Sequence, residues 1–182
     1  VITKPCDLAQ EGQAEHLYRQ LADFDLVMLI NNAGFGDFSM PWDIDLAKAT
    51  RMLDLNVKAL TMLSLLYTRD YADREATLIN VSSVGGYSLF DIAVTYCATK
   101  FFVAAFTEGL AQNLRDQGKK MRAKVIAPFY QGITILQAYD AMKGMVAVHK
   151  LLLASLAILC SLGELLLEMK TPEHTLYGHG LV

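Results

Sequence analysis

The sequence predicts a single α/β domain built on a parallel, doubly wound sheet with helices on both faces. Three short apolar runs, at residues 25–30, 76–81 and 121–127, have the composition of strands buried on both faces. Helical patterns separate them, and strands that alternate with helices are typical of parallel sheets. The chain has 182 residues, of which 53% are hydrophobic and 19% charged. That is long enough for one sizeable core, so residues 1–182 are assigned to one domain.

The N-terminal elements are a strand, a helix and a second strand. Residues 1–8 predict a short strand, and residues 10–22 have the apolar spacing of an amphipathic helix. The run at 25–30 then ends in Asn31-Asn32-Ala33-Gly34. Ligands of open α/β sheets bind at this carboxyl edge, so the tetrapeptide is a candidate binding segment.

The middle of the chain predicts mainly helix. A loop over residues 35–42 leads to helices near 43–50 and 51–69. The longest helical pattern covers residues 95–117, and Gly118 is the expected C-terminal stop.

The mostly apolar residues 145–167 predict a buried or subunit-facing helix. Their stretch without charge or histidine, 151–163, is shorter than the ~18–20 residues that a bilayer span requires. A helix lying on a membrane surface is the alternative, although it would need a broad basic face that this segment lacks.

Charge and cysteine content exclude several classes of protein. With a net charge of -3 and a pI of about 5.8, the chain has no basic stripe for nucleic acid. Its cysteines, Cys6, Cys97 and Cys160, are scattered and form no C-x-x-C pair, which argues against a disulfide framework or a zinc knuckle. Reduced thiols fit a cytoplasmic protein.

The histidines predict no metal site. His16, His149, His174 and His179 show no spacing typical of metal ligands.

Residues 78–100 contain the strongest candidates for chemistry. Ser83 follows the strand at 76–81, and Tyr96 lies four residues before Lys100. In a helix this spacing brings the phenol and the ammonium to the same face. Tyr139 and Lys143 repeat the spacing without a serine thirteen residues upstream, so we interpret that second pair as a chance match.

Together these motifs resemble the short-chain dehydrogenase/reductase family. The resemblance covers roughly residues 1–128 and rests on five motifs in the expected order, which are Asp7-Leu8, Asn31-Asn32-Ala33-Gly34, Asn56 in LDLNVKAL, Ser83 in INVSSVGG and Tyr96-x-x-x-Lys100. It implies a Rossmann-like fold and an oxidoreductase that interconverts an alcohol and a carbonyl by hydride transfer.

The resemblance assigns catalytic roles to Tyr96, Lys100, Ser83 and Asn56. A phenol is almost fully protonated at neutral pH, and the Lys100 ammonium favours its ionised form, so Tyr96 can act as acid or base. The Ser83 hydroxyl would hydrogen-bond the same substrate oxygen. By resemblance, Asn56 helps to hold a water that links Lys100 to solvent.

The resemblance also implies NAD or NADP as cofactor, because no side chain carries a hydride. The cofactor-binding residues would be Asp7, Leu8, Asn32, Ala33, Gly34, Tyr96, Lys100 and Pro128. Asp7 would receive the adenine amino group, Lys100 would hydrogen-bond the nicotinamide ribose, and Gly34 would let the backbone approach the ligand. The choice between NAD and NADP stays open.

Structural alternatives remain for three of these positions. Asp7 could merely cap the helix that follows it, and Asn31 or Asn32 could only close a turn. Asn56 could be a buried amide that backbone carbonyls satisfy.

The first departure from the family is at the N-terminus. The family's glycine-rich loop, Thr-Gly-x-x-x-Gly-x-Gly, should precede Asp7, but no glycine cluster occurs there and none elsewhere in the chain replaces it. By resemblance, the N-terminal βαβ unit is therefore missing, and the sequence as given is expected to bind a dinucleotide poorly. In the family's strand order, 3-2-1-4-5-6-7, residues 1–8 would then lack their sheet neighbour and leave an open apolar edge. We expect the sequence to be part of a longer polypeptide, an expectation that an intact mass of 20.1 kDa would refute.

The second departure is at Pro128-Phe129, where the family usually has Pro-Gly beside the nicotinamide. Thr134 comes one position later than the family's carboxamide contact. Residues 133–182 align poorly and are expected to contain the substrate loop.

We therefore predict an NAD(P)-dependent oxidoreductase with an apolar substrate, suggested by Phe35, Phe38, Phe90 and Phe129. By resemblance, helices near 51–69 and 95–117 would pair subunits in a homodimer or homotetramer. The alternative is a non-catalytic binding or scaffold protein of the same fold, or a truncated fragment without cofactor binding. A reductase anchored to a membrane through residues 145–167 is a third, weaker interpretation.

Overall fold

A computed structural model describes residues 2–128 and the backbone of two later strands. Strands are β1 Ile2–Pro5, β2 Met28–Asn31, β3 Thr77–Val81, β4 Arg122–Ile126, β5 Leu152–Leu159 and β6 Leu162–Met169. Helices are α1 Gln13–Arg19, α2 Leu46–Leu53, α3 Leu60–Tyr71 and α4 Val94–Asp116, with a π-helical turn at Asp54–Ala59 and a 3₁₀ turn at Val84–Gly86.

One six-stranded sheet, ordered β1-β6-β5-β2-β3-β4, organises these elements. Strands β2, β3 and β4 pair in parallel, β5 is parallel to β2, and β6 is antiparallel to both β5 and β1. The predicted α/β class, with a parallel sheet and helices, is confirmed. All three predicted apolar strands are present, within about three residues of their expected ends.

The larger hydrophobic core lies between the sheet and helices α1, α3 and α4. Leu29 on β2 and Leu78 on β3 are register partners, and both belong to this core with Leu17, Leu63 and Leu114 from the helices. Strand alternation points Ile30 and Ile79 the other way, into a smaller second cluster. Apolar residues on both faces explain the uninterrupted apolar runs in the sequence.

Two helix predictions need correction. The helices expected near 43–50 and 51–69 form one continuous helical run from Leu46 to Tyr71, because the π-helical turn joins α2 to α3 without a break. The helix expected over 10–22 starts later, since Gly12 has a positive φ of 75° and helical geometry begins only at Gln13.

The end of α4 follows its prediction. Gly118 has a positive φ of 63° and lies just beyond the last helical turn. Its N–H donates to Arg115 O, and the N–H of Lys119 donates to Leu114 O.

The prediction of a helix within residues 145–167 is wrong. The segment contains β5 and most of β6, two hairpin strands that pair over their whole length. A short apolar run without periodicity is compatible with a buried strand as well as with a buried helix. Here the run forms β5, which pairs in parallel with β2.

The expectation that residues 1–8 lack a sheet neighbour is also wrong. Strand β1 pairs antiparallel with β6, from Ile2 opposite Leu167 to Pro5 opposite Glu164. The hairpin thus occupies the interval between β1 and β2. No helix within residues 2–128 is long and apolar enough to cross a bilayer.

Candidate active site

The carboxyl ends of β2 and β3 bring the two candidate segments together. Asn31, at the end of β2, is the register partner of Asn80, one residue before the end of β3. Because the strands are parallel, residues 32–38 and 82–86 leave the sheet at the same edge.

A buried polar network fixes this edge. Asn31 Nδ2 donates to Asn80 Oδ1 at 2.9 Å and to Ser64 Oγ at 3.0 Å, and Asn80 Nδ2 donates to Thr107 Oγ1 at 2.9 Å. Thr107 in turn donates to Val103 O. These bonds tie both strand ends to α3 and α4, so Asn31 has a structural role.

Lys100 lies almost fully buried beneath the edge, with 6% of its surface exposed. Its Nζ donates to the carbonyl oxygen of Val81, the last residue of β3, at 2.9 Å. Burial lowers the pKa of the Lys100 ammonium to about 8. The group is therefore mostly protonated at neutral pH but gives up its proton more readily than an exposed lysine.

Tyr96 lies one turn before Lys100 on α4, and the predicted proximity of the pair is present. The Lys100 Nζ is 5.8 Å from the centroid of the Tyr96 ring. Phe38 packs against the same ring at a centroid distance of 5.9 Å. A Cβ at Gly36 would lie only 3.2 Å from Tyr96 Cδ2, so the backbone of the 35–42 loop touches the ring.

Ser83 begins the turn that lies beside Tyr96. Its hydroxyl accepts a hydrogen bond from Gly85 N at 3.2 Å, at the start of the 3₁₀ turn. A Cβ at Gly85 would lie 3.5 Å from Tyr96 Cε1. The structure thus brings Ser83, Tyr96 and Lys100 to one place.

Asn56 is buried in the π-helical turn, and its amide holds the loop that follows β2. Nδ2 donates to Phe35 O at 2.8 Å and to Thr99 Oγ1 at 3.1 Å, while Oδ1 accepts from Phe35 N at 3.1 Å. Its side chain is therefore a buried amide with partners inside the protein, although only one of its two acceptors is a backbone carbonyl.

Gly34 is required by the protein's own side chains. A Cβ there would lie 2.9 Å from Asn56 Oδ1 and 3.5 Å from Lys100 Nζ. This close approach explains the glycine without a ligand. The neighbouring Asn32 and Ala33 are half-buried at the same edge.

Asp7 and Leu8 lie in the turn after β1. The Asp7 carboxylate accepts from Ala9 N at 3.2 Å and from Gln10 Nε2 at 3.3 Å, and it pairs with Arg51 at 3.4 Å. It does not cap α1, whose N-cap is Gly12. Leu8 is buried in the larger core, so only its backbone could meet a ligand.

Pro128 lies two residues after the end of β4, at the border of the site. Its carbonyl accepts from Val84 N at 3.3 Å, which places it against the turn that carries Ser83. Phe129, Thr134, Tyr139 and Lys143 lie outside the described residues.

The structure bears on the metal and disulfide expectations only within residues 2–128. Within residues 2–128, no group of three His, Cys, Asp or Glu side chains is placed to hold a metal ion. Cys6 and Cys97 are free thiols. The side chains of Cys160, His149, His174 and His179 lie outside the part that can be described.

Several supporting residues were missed from the sequence. Ser64, Thr99 and Thr107 are hydrogen-bonded to the candidate residues and to Asn80. Of these supporting residues, Asn80 could have been found from the sequence, because it is a polar residue within an apolar strand. Asp37 and Lys48 pair beside the site at 2.8 Å, and no motif singles them out.

The side chains gathered at this edge have functional groups suited to proton transfer. The Tyr96 phenol can give or take a proton, the buried Lys100 ammonium provides positive charge and a further proton, and Ser83 adds a hydroxyl. Such a set suits chemistry at a carbonyl or alcohol oxygen.

Comparison with known proteins shows that the chain belongs to the short-chain dehydrogenase family. The family model described as short chain dehydrogenase matches residues 1–143. An uncharacterized oxidoreductase of Staphylococcus saprophyticus is 31% identical over 70% of this chain and 50% of its own length. Human 15-hydroxyprostaglandin dehydrogenase [NAD(+)] is 28% identical over 77% of this chain and 52% of its own.

Solved structures show the same fold. A short-chain dehydrogenase/reductase from Vibrio parahaemolyticus aligns with a TM-score of 0.68 and 23% identity, over 78% of this chain and 68% of that one. The chain spans about half the length of the curated relatives it matches.

Proposed function

We propose that the protein is an NAD(P)-dependent oxidoreductase that interconverts an alcohol and a carbonyl, with Tyr96 as its acid/base. The observation that carries the proposal is the buried Lys100 ammonium, 5.8 Å from the Tyr96 ring at the carboxyl edge of a parallel sheet. A buried cation costs free energy, and a proton-transfer role accounts for placing it there.

The described residues fit two ends of a dinucleotide. Lys100 is a donor for a hydroxyl of the nicotinamide ribose. On the adenosine side, the half-buried Asn32, Ala33 and Gly34 would lie along the ligand, and Asp7 presents a half-exposed carboxylate for an adenine amino group. The sequence holds no glycine-rich loop for the pyrophosphate. The human relative's name includes NAD(+), which supports a nicotinamide cofactor.

In carbonyl reduction, Tyr96 donates its phenolic proton to the substrate oxygen. A reduced nicotinamide supplies the hydride when it is bound. Ser83 orients the oxygen by a hydrogen bond, and Lys100 stabilises the phenolate and returns a proton to it. Alcohol oxidation runs the same proton path in reverse. Asn56 keeps the loop that covers Tyr96 in place through both hydrogen bonds to Phe35.

Apolar side chains near Tyr96 support an apolar substrate. Phe38 contacts the Tyr96 ring, and Phe90 packs against Gly85 beside it. Phe35, in contrast, packs against the larger core and is not offered as a substrate contact.

Tyr96→Phe tests the acid/base assignment. We expect it to lower kcat/KM by at least about 10²-fold, because general acid/base catalysis contributes on that order. Tyr139→Phe is the matched control, since Tyr139 also precedes a lysine by four residues, and it should lower kcat/KM far less than Tyr96→Phe does. Turnover is followed by nicotinamide absorbance over a panel of ketones and alcohols, and equal activity of wild type and Tyr96→Phe would contradict the proposal.

A non-catalytic binding or scaffold protein is the second candidate. The hairpin β5–β6, which lies between β1 and β2 in the sheet, favours it. Titration of the full-length product with NADH and NADPH, followed by nicotinamide fluorescence, separates the candidates. Binding of neither dinucleotide supports the scaffold and excludes the enzyme.

We also propose self-association through α3 and α4, in a cytoplasmic protein with free thiols. Leu65 on α3 and Phe101 and Phe102 on α4 are large apolar side chains that solvent reaches. Phe102→Glu should shift the mass measured by light scattering from a dimer or tetramer to a monomer. A wild-type protein that is already monomeric contradicts this part of the proposal.

A further inference from the structure

The segment from Gly34 to Ser39 covers one side of Tyr96. Gly36 approaches the ring so closely that a Cβ would lie 3.2 Å from it, and Phe38 packs on the same ring. Phe38 nevertheless keeps 54% of its surface exposed. Apolar burial of Phe38 is therefore too incomplete to hold the segment in this position by itself.

Two polar anchors hold the segment instead. At its beginning, Asn56 exchanges two hydrogen bonds with the backbone of Phe35. Further along, the side chain of Asp37 is only 3% exposed and pairs with Lys48 Nζ at 2.8 Å. Ser39 Oγ donates to the same carboxylate.

The second anchor joins the segment to helix α2. Lys48 lies in the first turn of α2, whose N-cap is Asp45, so its position is set by a capped helix. The hydrogen bond from Lys48, followed by that from Ser39, lowers the pKa of Asp37. Asp37 therefore stays ionised at neutral pH and keeps its attraction for Lys48.

We propose that Asp37 is a positioning residue whose ion pair with Lys48 holds Phe38 against Tyr96, where Phe38 forms the wall that selects an apolar group on the substrate. The positioning step concerns the folded chain alone. The selection step rests on the proposed function, because it requires a substrate at Tyr96.

Nitration of tyrosines by tetranitromethane, measured for each residue by mass spectrometry, tests the positioning step without any need for activity. Tyr87 is exposed and Tyr67 fully buried, so they serve as fast and slow references in the same molecule. Lys48→Met removes the ion pair at an exposed position, and Lys48→Arg keeps it.

We expect Lys48→Met to raise the nitration rate of Tyr96 relative to Tyr87 by about threefold, the range for loss of one partly exposed ion pair. Phe38→Ala should raise it at least as much, and Lys48→Arg should leave it at the wild-type value. An unchanged ratio in Lys48→Met overturns the proposal. So does a parallel rise at Tyr67, which would indicate general loosening.

Steady-state kinetics test the selection step with acetophenone and acetone, a matched pair with and without a phenyl group. Phe38→Ala and Lys48→Met should raise KM for acetophenone about tenfold with kcat nearly unchanged, as expected for lost apolar contact in a pocket. KM for acetone should stay constant, and equal changes for both ketones overturn the selection. If wild type reduces no ketone, the proposed function fails, while the nitration rates still decide the positioning.

Discussion

Lys100 carries its charge where water hardly reaches. Desolvation lowers its pKa from 10.5 to about 8, and the unfolded chain restores the higher value. Between these two pH values the unfolded state binds more protons than the folded state. The contribution of Lys100 to folding stability is therefore unfavourable below pH 8, and this cost disappears as pH rises through 8 towards 10.5.

A pH series of unfolding free energies measures this cost. From pH 7 to 9.5, wild type should gain about 2 kcal/mol relative to Lys100→Met, which has no titrating group at that position. Titrations elsewhere in the chain cancel in the difference. Urea unfolding followed by circular dichroism provides the values, with the exposed Lys120→Met as control. Parallel pH profiles for wild type and Lys100→Met would show that Lys100 titrates normally.

The sequence was sufficient to predict the site residues that are brought together by short spacings along the chain. Tyr96 and Lys100 come together because one helical turn separates them, and Ser83 follows from the end of an apolar strand. Asp37 and Lys48 were not predictable, since their contact depends on how a loop without regular structure crosses α2. Gly34 was identified for a ligand-based reason, whereas its own neighbours, Asn56 and Lys100, require it.

At the scale of elements, the π-helical turn explains how one helical run can support the site. The wider turn at Asp54–Ala59 interrupts regular α-helical geometry and carries Asn56, whose amide reaches both the loop after β2 and Thr99 on α4. The apolar pattern of the sequence reports which side of a helix is buried. It does not report a change from α to π hydrogen bonding, so two helices were predicted where one run occurs.

The 3₁₀ turn at Val84–Gly86 packs directly on α4 through Gly86. A Cβ at Gly86 would lie 2.6 Å from the carbonyl oxygen of Lys100 and would also collide with Ser82 Oγ. Those two atoms already share a hydrogen bond of 2.8 Å, so neither can move without breaking it. The turn that carries Ser83 and the helix that carries Tyr96 are thus fixed to each other at Gly86.

Two glycine-to-alanine substitutions distinguish the effect of this close contact on stability from the effect of helix propensity. Gly86→Ala should lower the free energy of unfolding by about 1–3 kcal/mol, as overpacking does in tight interiors. Gly109 lies within α4, where an added Cβ would meet no neighbouring atom within 4 Å, so Gly109→Ala should stabilise the protein by about 1 kcal/mol. Thermal and urea unfolding give both values. A neutral Gly86→Ala would mean that the turn and α4 are not in close contact.

At the scale of the whole molecule, the hairpin β5–β6 changes how the sheet is completed. In the family's strand order two strands separate the counterparts of β1 and β2, and two strands of this chain lie in that interval. Strand β5 runs parallel to β2, but β6 runs antiparallel to β1. The hairpin therefore supplies backbone partners without reproducing the strand–helix–strand unit that carries the glycine-rich loop.

The same sheet order makes the hairpin a cooperative link. Strands β1 and β6 connect to β2 only through β5 within the described sheet, so disrupting β5 should release all three. Proline cannot donate a ladder hydrogen bond, and Ala154 of β5 lies opposite Leu29 of β2. Ala154→Pro is therefore expected to loosen β1, β5 and β6 together while leaving the β2–β3–β4 part of the sheet intact.

Amide hydrogen exchange read by mass spectrometry provides the measurement. In wild type, peptides from 152–159 and 162–169 should exchange about as slowly as those from β2 and β3, because both strands have ladder partners on each side. In Ala154→Pro, protection should fall in β1, β5 and β6 and persist in β3 and β4. If the hairpin peptides of the wild type exchange as fast as the denatured chain, the hairpin is not part of the sheet. The interval between β1 and β2 would then be open to a cofactor-binding unit, so this experiment also bears on whether the chain can bind a dinucleotide.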